Sequence, residues 1–382
     1  MRAGEYDPVL HHRSHLAVGI PGTVAGLYLA WSEYGSLPWR TLVEPGVRLA
    51  REGFTVSAAL ASSLASVLPS MAPYPASVAQ FSKRGGPYQA GETFRQLALA
   101  RTLERIAEQG PAGFYEGETA DLIVRDMEAN GGLITYADLE AYRAQRRSAL
   151  VGTYRGYEIV SMPPVSSGGT AVIQMLNILE GYNLAASGAG SAATTHLLIE
   201  AMRRAYADRA RYLGDPLFNP NLPIDRLTSK AYAERLRRTI TLERASVSSP
   251  ESFVWPDEGQ ETTHVSVVDH ARNAVSLTYT LEQGYGAKIT VPGGGFLLNN
   301  EMGDFNAAPA MTTETGLIGT PPNLAEPGKR MLSSMTPTIV ARDGRLVLVT
   351  GSPGGRTIIN TVLMTILNVV DFGMNVQEAV DA

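Results

Sequence analysis

Two alternating segments in the last third of the chain constrain the fold most strongly. "THVSVVD" (263–269) and "AVSLTYTLE" (274–282) each alternate with period two about the turn "HARN". Slipping such a pair by one residue sends every side chain to the opposite face, so the pattern predicts an antiparallel hairpin in one register. "TPTIVARDGRLVLVTGSPGG" (336–355) predicts a second hairpin about Asp343-Gly344, followed by a Gly-rich turn. "GTYRGYEIVSMPP" (152–164) is aromatic and β-branched and predicts a strand that runs into a proline stop. "GGGFLLNNEMGDF" (293–305) predicts a short strand entering a loop of acids and amides.

Helical patterns dominate the rest of the chain. Apolar residues recur at helical spacing in "GTVAGLYLAWSEYG" (22–35) and "PWRTLVEPGVRLAREG" (38–53), each ending at glycine. "GETFRQLALARTLERIAEQG" (91–110) and "GETADLIVRDMEANGG" (117–132) predict amphipathic helices, the second stopped by Gly-Gly. In "TYADLEAY" (135–142), Thr135 and Asp138 have the spacing of a capping box. "SSGGTAVIQMLNILEGY" (166–182) reads as a turn feeding a helix, and "ATTHLLIEAMRRAYADRARYLGD" (193–215) as a long helix. Residues 216–261 are polar and rich in Pro and Ser, which predicts an exposed, mobile loop. "TIINTVLMTILNVVDFG" (357–373) is the most apolar run, but Asn360, Thr365 and Asn368 interrupt it, so it reads as a buried helix and not a membrane span. Helices, then hairpins, then helix again predict an α+β fold, antiparallel sheet covered by helical layers.

Composition removes several chemistries. The chain has 382 residues, enough for two domains or one large layered domain. A net charge of −5 with dispersed basic residues offers nucleic acid no electrostatic footprint. With no cysteine, disulfides, thiolate nucleophiles and cysteine-ligated zinc are excluded. The opening "MRAGEYDPVLHHRSH" holds no apolar signal segment, and no carboxylate or second cluster completes a metal site around His11, His12 and His15. "GIPGTVAG" lacks the lysine of a phosphate loop and reads as a tight turn. No nucleophile-elbow motif is present, and His264 reads as a packed strand residue ahead of a general base.

What remains is a set of hydroxyls, carboxylates and glycines in the β-rich third. A threonine hydroxyl needs a base within hydrogen-bond reach, and an N-terminal threonine carries one in its own α-amine, of pKa about 7.7–8.0. Cutting the polar segment after Glu261 would make Thr262 such a terminus at the start of a strand. Thr280 and Glu282 lie on the neighbouring strand, with Glu301, Asp304, Ser333, Ser334, Gly354 and Gly355 further on. Carboxylates suit an ammonium group, serine hydroxyls suit a carboxylate, and adjacent glycine N–H groups can converge on one oxyanion. Together they describe a site for the amino-acid end of a substrate.

At this point ordered motifs resemble a known family. "TTHVSVVD", "TYTLEQGYG", "GFLLNNEMGDF", "KRMLSSMTPTIV" and "TGSPGGRTIINTVL" look like those of the γ-glutamyltransferases, a branch of the N-terminal-nucleophile hydrolases. "SHLAVGIPGTVAGL", "NGGLITYADL", "YRGYEIVSMPPVSSGG" and "YADRARYLGDP" are similar to that family's large subunit. The resemblance implies an αββα sandwich, two stacked antiparallel sheets flanked by helices. It implies autocatalytic cleavage between Glu261 and Thr262, with residues 1–261 and 262–382 as parts of a large and a small subunit that form a heterodimer. Thr262 is implied as nucleophile and Thr280 as the partner of its hydroxyl. Glu282, Glu301 and Asp304 are implied to bind the donor's α-amino group, Ser333 and Ser334 its α-carboxylate, and Gly354 with Gly355 the oxyanion.

The implied activity is γ-glutamyl hydrolysis and transfer on glutathione and related donors, to water or an amino-acid or peptide acceptor, without metal or organic cofactor. A periplasmic or extracellular site follows from the same resemblance. An acylase for glutaryl or cephalosporin side chains, or an inactive fragment, are the rival expectations. Some relatives carry asparagine at position 282 or glutamine at 301, where this chain has glutamate at both. "PAMTTETGLIGT" (309–320) matches a lid loop in length, with Thr315 where a tyrosine is usual. The chain starts downstream of the family's glycine-rich strand and Phe-Arg-Glu motif and stops at Ala382 before the closing strands, so truncation at both ends is expected.

Overall fold

A computed structural model of the chain describes residues 6–247, 262–309 and 319–382. Its contacts form two compact units, one of Met1–Arg146 with Gly284–Gly303, the other of Arg147–Gln283 with Asp304–Ala382. The expected division at Thr262 concerns a cut in the chain, not packing, since the segments on either side of it each contribute to both units.

The first unit is helical. Its longer helices are Thr23–Tyr34, Trp39–Glu52, Ala58–Met71, Leu97–Gln109 and Gly117–Asn130. Ser57 caps the third of these by accepting the Leu60 N–H. The helix expected over 91–110 begins only at Leu97, because β2 (Thr93–Phe94) pairs with β1 (Phe54–Thr55). Thr135 and Asp138 form the expected capping box, and Gly131 ends the preceding helix at φ 72°, a left-handed conformation that glycine adopts at little cost. The core joins Ile106, Phe114, Ile123, Met127 and Leu139 to Ala287, Ile289, Val291 and Leu298 from the returning segment. That segment has a single bridge, Thr290 to Leu297, in place of the short strand expected to open 293–305 ahead of its loop. Gly293 and Gly295, both at positive φ, bend it out of extended geometry. His15 pairs with Asp126 at 3.2 Å in the interior, His11 Nε2 lies 3.0 Å from the Gly303 carbonyl, and His12 Nε2 lies 3.0 Å from the Tyr6 hydroxyl.

The second unit holds most of the strands. β3 (Leu150–Tyr154) and β4 (Tyr157–Ser161) form a hairpin, which corrects the single strand expected over 152–164. Arg155 and Gly156, at φ 49° and 81°, make the two-residue turn whose twist suits a hairpin. β5 (Thr263–Val268) and β6 (Ala274–Tyr279) form the alternating hairpin, and β7 (Thr338–Arg342) and β8 (Arg345–Thr350) the one about Asp343-Gly344. The strand order β3-β4-β7-β8 makes a four-stranded antiparallel sheet, with β5-β6 a separate two-stranded one. Helices Gly168–Leu179, Ala192–Tyr212 and Thr357–Val370 pack with the larger sheet into one core, in which Met175, Leu176, Val340, Ile359 and Ile366 are all but inaccessible.

The β5-β6 hairpin meets edge strand β8 through its polar side. Ser266 Oγ donates to the Val349 carbonyl at 3.1 Å, and Ser276 Oγ to the Thr350 carbonyl at 2.9 Å. Val265, Val267, Val275, Leu277 and Tyr279 on the opposite side are exposed. The loop expected over 216–261 is partly ordered: helices Ile224–Leu227 and Lys230–Arg237 bury Leu227 and Ala233 completely, and residues 248–261 lie outside the described residues. Among the described residues no helix is long and apolar enough to cross a membrane.

Candidate active site

The ladder of the β5-β6 hairpin ends on the pair Thr263 and Tyr279, so the same register sets Thr262 opposite Thr280 one step beyond it. Thr262 Oγ1 donates to Thr280 Oγ1 at 3.2 Å. Thr280 Oγ1 also accepts the Glu282 N–H at 2.9 Å, a contact made possible by the left-handed backbone of Glu282 at φ 77°. The chain therefore turns sharply after β6 and brings a carboxylate beside the threonine pair.

Along the same face, His264 Nδ1 lies 2.9 Å from Thr278 Oγ1 and its Nε2 lies 3.0 Å from Ser266 Oγ. Burial pushes the His264 pKa below the usual imidazole value, which favours the neutral ring. Both ring nitrogens are engaged within the hairpin, as a packed strand residue requires. A Cβ on Gly351 would stand 2.1 Å from His264 Nδ1, so this glycine permits the close approach of β5 to the chain leaving β8.

That chain continues into Gly354 and Gly355, at φ 129° and 53°. The Gly354 carbonyl accepts both the Thr357 N–H at 2.9 Å and its hydroxyl at 2.6 Å, and the Gly355 carbonyl accepts the Ile358 N–H at 3.2 Å. The glycine turn is thereby fused to the N-terminus of the Thr357–Val370 helix, whose first N–H groups and dipole favour negative charge nearby.

Ser333 and Ser334 are held from behind by the turn that opens helix Gly168–Leu179. The Ser333 carbonyl accepts the Ser167 N–H and the Ser167 hydroxyl, both at 2.8 Å, while the Ser333 N–H donates to the Val165 carbonyl at 3.2 Å. Ser333 Oγ accepts the Met335 N–H at 3.1 Å, and Ser334 Oγ accepts Arg209 Nη2 at 2.9 Å.

One cavity of the second unit is lined by Thr262, Thr280, Glu282, Asp304, Ser333, Ser334 and Gly355. Gly354 adjoins it in the chain without lining it. Glu301 is not among the lining residues either: it belongs to the first unit, at the start of the 3-10 turn Glu301–Asp304, where its N–H donates to Asn299 Oδ1 at 3.0 Å. Glu261 and Thr315 lie outside the described residues. Met335, Arg356 and Ile358 also line the cavity; they lie inside the motifs "KRMLSSMTPTIV" and "TGSPGGRTIINTVL", which carry no role for them in the sequence. Arg209 also has no role in the sequence expectations, although it stands in the motif "YADRARYLGDP" and within the apolar stripe of a helix.

The arrangement puts an alcohol pair, two carboxylates and two serine hydroxyls around a single small space. It can receive a ligand that bears an ammonium and a carboxylate, with an electrophile directed at the alcohols.

Comparison with known proteins bears on this geometry. The profile of the gamma-glutamyltranspeptidase family matches residues 3–382. The chain is 48% identical over 375 residues to the glutathione hydrolase proenzyme of Escherichia coli K12, an alignment covering 97% of this chain and 64% of that protein. It thus spans just under two thirds of that relative's length. The crystal structure of cephalosporin acylase from Bacillus halodurans superposes with a TM-score of 0.84 at 27% identity, covering 97% of this chain and 67% of the other. That of Helicobacter pylori γ-glutamyltranspeptidase superposes with a TM-score of 0.64 at 41% identity, covering 65% of this chain and 72% of the other.

Proposed function

This chain belongs to the gamma-glutamyltranspeptidase family, and from that premise we propose that it carries the catalytic machinery of a γ-glutamyl hydrolase and transpeptidase acting on glutathione and related donors. Its fold is the α+β fold of the N-terminal-nucleophile hydrolases. The observation that carries the proposal is the Thr262–Thr280 contact in a cavity also lined by Glu282, Asp304, Ser333 and Ser334.

On this reading the precursor first cuts itself. Thr262 Oγ1 attacks the Glu261 carbonyl carbon and the Glu261–Thr262 amide breaks, leaving an ester on the threonine and a free α-amine. Water then hydrolyses the ester. Residues 1–261 and 262–382 remain associated as parts of a large and a small subunit, since both packing units draw on each.

In turnover the α-amine accepts the proton of Thr262 Oγ1 as that oxygen attacks the γ-carbonyl carbon of the donor. The resulting oxyanion is assigned to the N–H groups of Gly354 and Gly355, beside a helix N-terminus. As the intermediate collapses, the amide C–N bond breaks and the leaving amine takes the proton back. Water or an acceptor amine then attacks the acyl-threonine, giving hydrolysis or transfer. Glu282 and Asp304 are assigned to the donor ammonium, Ser333 and Ser334 to its carboxylate.

A glutaryl-type acylase would use the same nucleophile but has no ammonium to bind. Two carboxylates in the cavity favour the γ-glutamyl donor. Comparing γ-glutamyl p-nitroanilide with glutaryl p-nitroanilide, which keeps the carboxylate and lacks the amine, tests this directly. The γ-glutamyl compound is expected to turn over faster, and preference for the glutaryl compound would refute the assignment.

A further inference from the structure

Arg209 stands behind the serine pair, in the last turn of helix Ala192–Tyr212, with only 8% of its surface exposed. Its Nε donates to Ser167 Oγ at 2.8 Å and its Nη2 to Ser334 Oγ at 2.9 Å. Ser167 Oγ passes its own proton to the Ser333 carbonyl at 2.8 Å. One planar guanidinium therefore fixes both the backbone of Ser333 and the side chain of Ser334.

The directions of these bonds decide what the two serine hydroxyls can still do. A serine hydroxyl has one proton to give and two lone pairs to receive with. Ser333 Oγ receives from the Met335 N–H and Ser334 Oγ from Arg209, and among the described residues neither hydroxyl donates to a protein acceptor. Both serines line the cavity. With a lone pair on each oxygen tied down from behind, the two protons are left for a ligand with acceptor oxygens. The guanidinium charge also polarises the Ser334 O–H and makes it a stronger donor.

We infer that Arg209 is a positioning residue for the anionic end of the substrate: acting through Ser334, it turns that hydroxyl into an oriented, polarised donor for a carboxylate. The inference rests on the proposed γ-glutamyl reading. A lysine cannot replace the fork, because one ammonium cannot match its planar two-point geometry.

The test uses the full-length protein and two donors, γ-glutamyl p-nitroanilide and 4-aminobutyryl p-nitroanilide, which keeps the amine and lacks the α-carboxylate. Arg209→Met is expected to reduce the preference in kcat/KM for the γ-glutamyl donor roughly tenfold, chiefly through KM, in line with a weakened hydrogen bond to a charged group. Arg209→Lys is expected to fall between wild type and Arg209→Met. In a Ser334→Ala background, Arg209→Met should change the preference little further, because the path it acts through is gone. An unchanged preference in Arg209→Met, or equal losses on both donors, would overturn the inference, as would a full additional effect in the Ser334→Ala background. A wild-type protein that does not discriminate between the donors would instead overturn the γ-glutamyl reading itself.

Discussion

Thr262 Oγ1 donates to Thr280 Oγ1 at 3.2 Å, and both residues stand one step past the last paired position of the β5-β6 ladder. The hydrogen-bonded register of a hairpin thus sets the distance between a proposed nucleophile and its partner. Two strands fix the pair from both sides, so little reorganisation is needed to hold it.

Thr280→Val keeps the shape and removes the acceptor. It also leaves the Glu282 N–H without the oxygen it now reaches at 2.9 Å. Self-cleavage and γ-glutamyl turnover are both expected to slow by about 10–100-fold, the scale of one or two lost hydrogen bonds at a constrained site. Thr280→Ser, which restores the hydroxyl, should recover most of the rate. Wild-type rates in Thr280→Val would remove Thr280 from the mechanism.

Thr262→Ala has no side-chain oxygen to attack the preceding carbonyl and is expected to remain one uncut, inactive chain. Thr263→Ala changes an exposed first residue of β5 and is expected to be cut normally. Intact-mass measurement separates the two cases. A processed Thr262→Ala protein would exclude self-cleavage by this residue, and an uncut wild type would support the inactive alternative.

Gly354 adopts φ 129°, and a Cβ there would meet Thr357 Oγ1 at 2.5 Å. Gly354→Ala must therefore displace Thr357, whose N–H and hydroxyl both hold the Gly354 carbonyl. The expected result is a fall in kcat of roughly 100-fold, the effect of losing one oxyanion donor, with a smaller change in KM. A variant with normal kcat would show that the oxyanion is held elsewhere.

Glu200 is wholly buried and accepts the Ser246 hydroxyl, the Ser246 N–H at 2.8 Å and Arg204 Nη1 at 2.6 Å. Burial alone raises its pKa, but those three donors outweigh it and hold the carboxyl at about 2. A depressed folded-state pKa contributes stability above the unfolded value near 4.5 that is lost as pH falls towards 2. Glu200→Gln is expected to lower stability at pH 7 by roughly 2 kcal/mol. Denaturant titrations should show the gap between variant and wild type narrowing between pH 4.5 and 2. A gap that stays constant with pH would mean that the charge is not what stabilises the contact with Ser246.

Much of the local structure was legible because it depends on neighbours in sequence. The Asp343-Gly344 turn, the Thr135–Asp138 capping box and the Gly131 helix stop each rest on side chains within four residues of one another. The Arg155-Gly156 turn has the same left-handed backbone as Asp343-Gly344, but an arginine at its first position is a weak turn signal, and two strands read as one. The short helices at Ile224–Leu227 and Lys230–Arg237 were missed because burial of Leu227 and Ala233 against the rest of the second unit, and not periodicity, sustains them.

By itself the sequence determined which residues can do chemistry and that the β5-β6 hairpin has two chemically different faces, because period-two alternation and residue type are local properties. Which face turns inward was decided only by tertiary structure. Ser266 and Ser276 meet the Val349 and Thr350 carbonyls of edge strand β8, which need donors that Val265 and Leu277 do not have. The same holds at the cavity. Thr262, Asp304 and Ser334 are far apart in the chain and become neighbours only through the packing of the second unit, and the orientation of the Ser334 hydroxyl is set by an arginine on helix Ala192–Tyr212. A hydrogen-bond direction depends on where its partner lies in space, which sequence spacing does not encode.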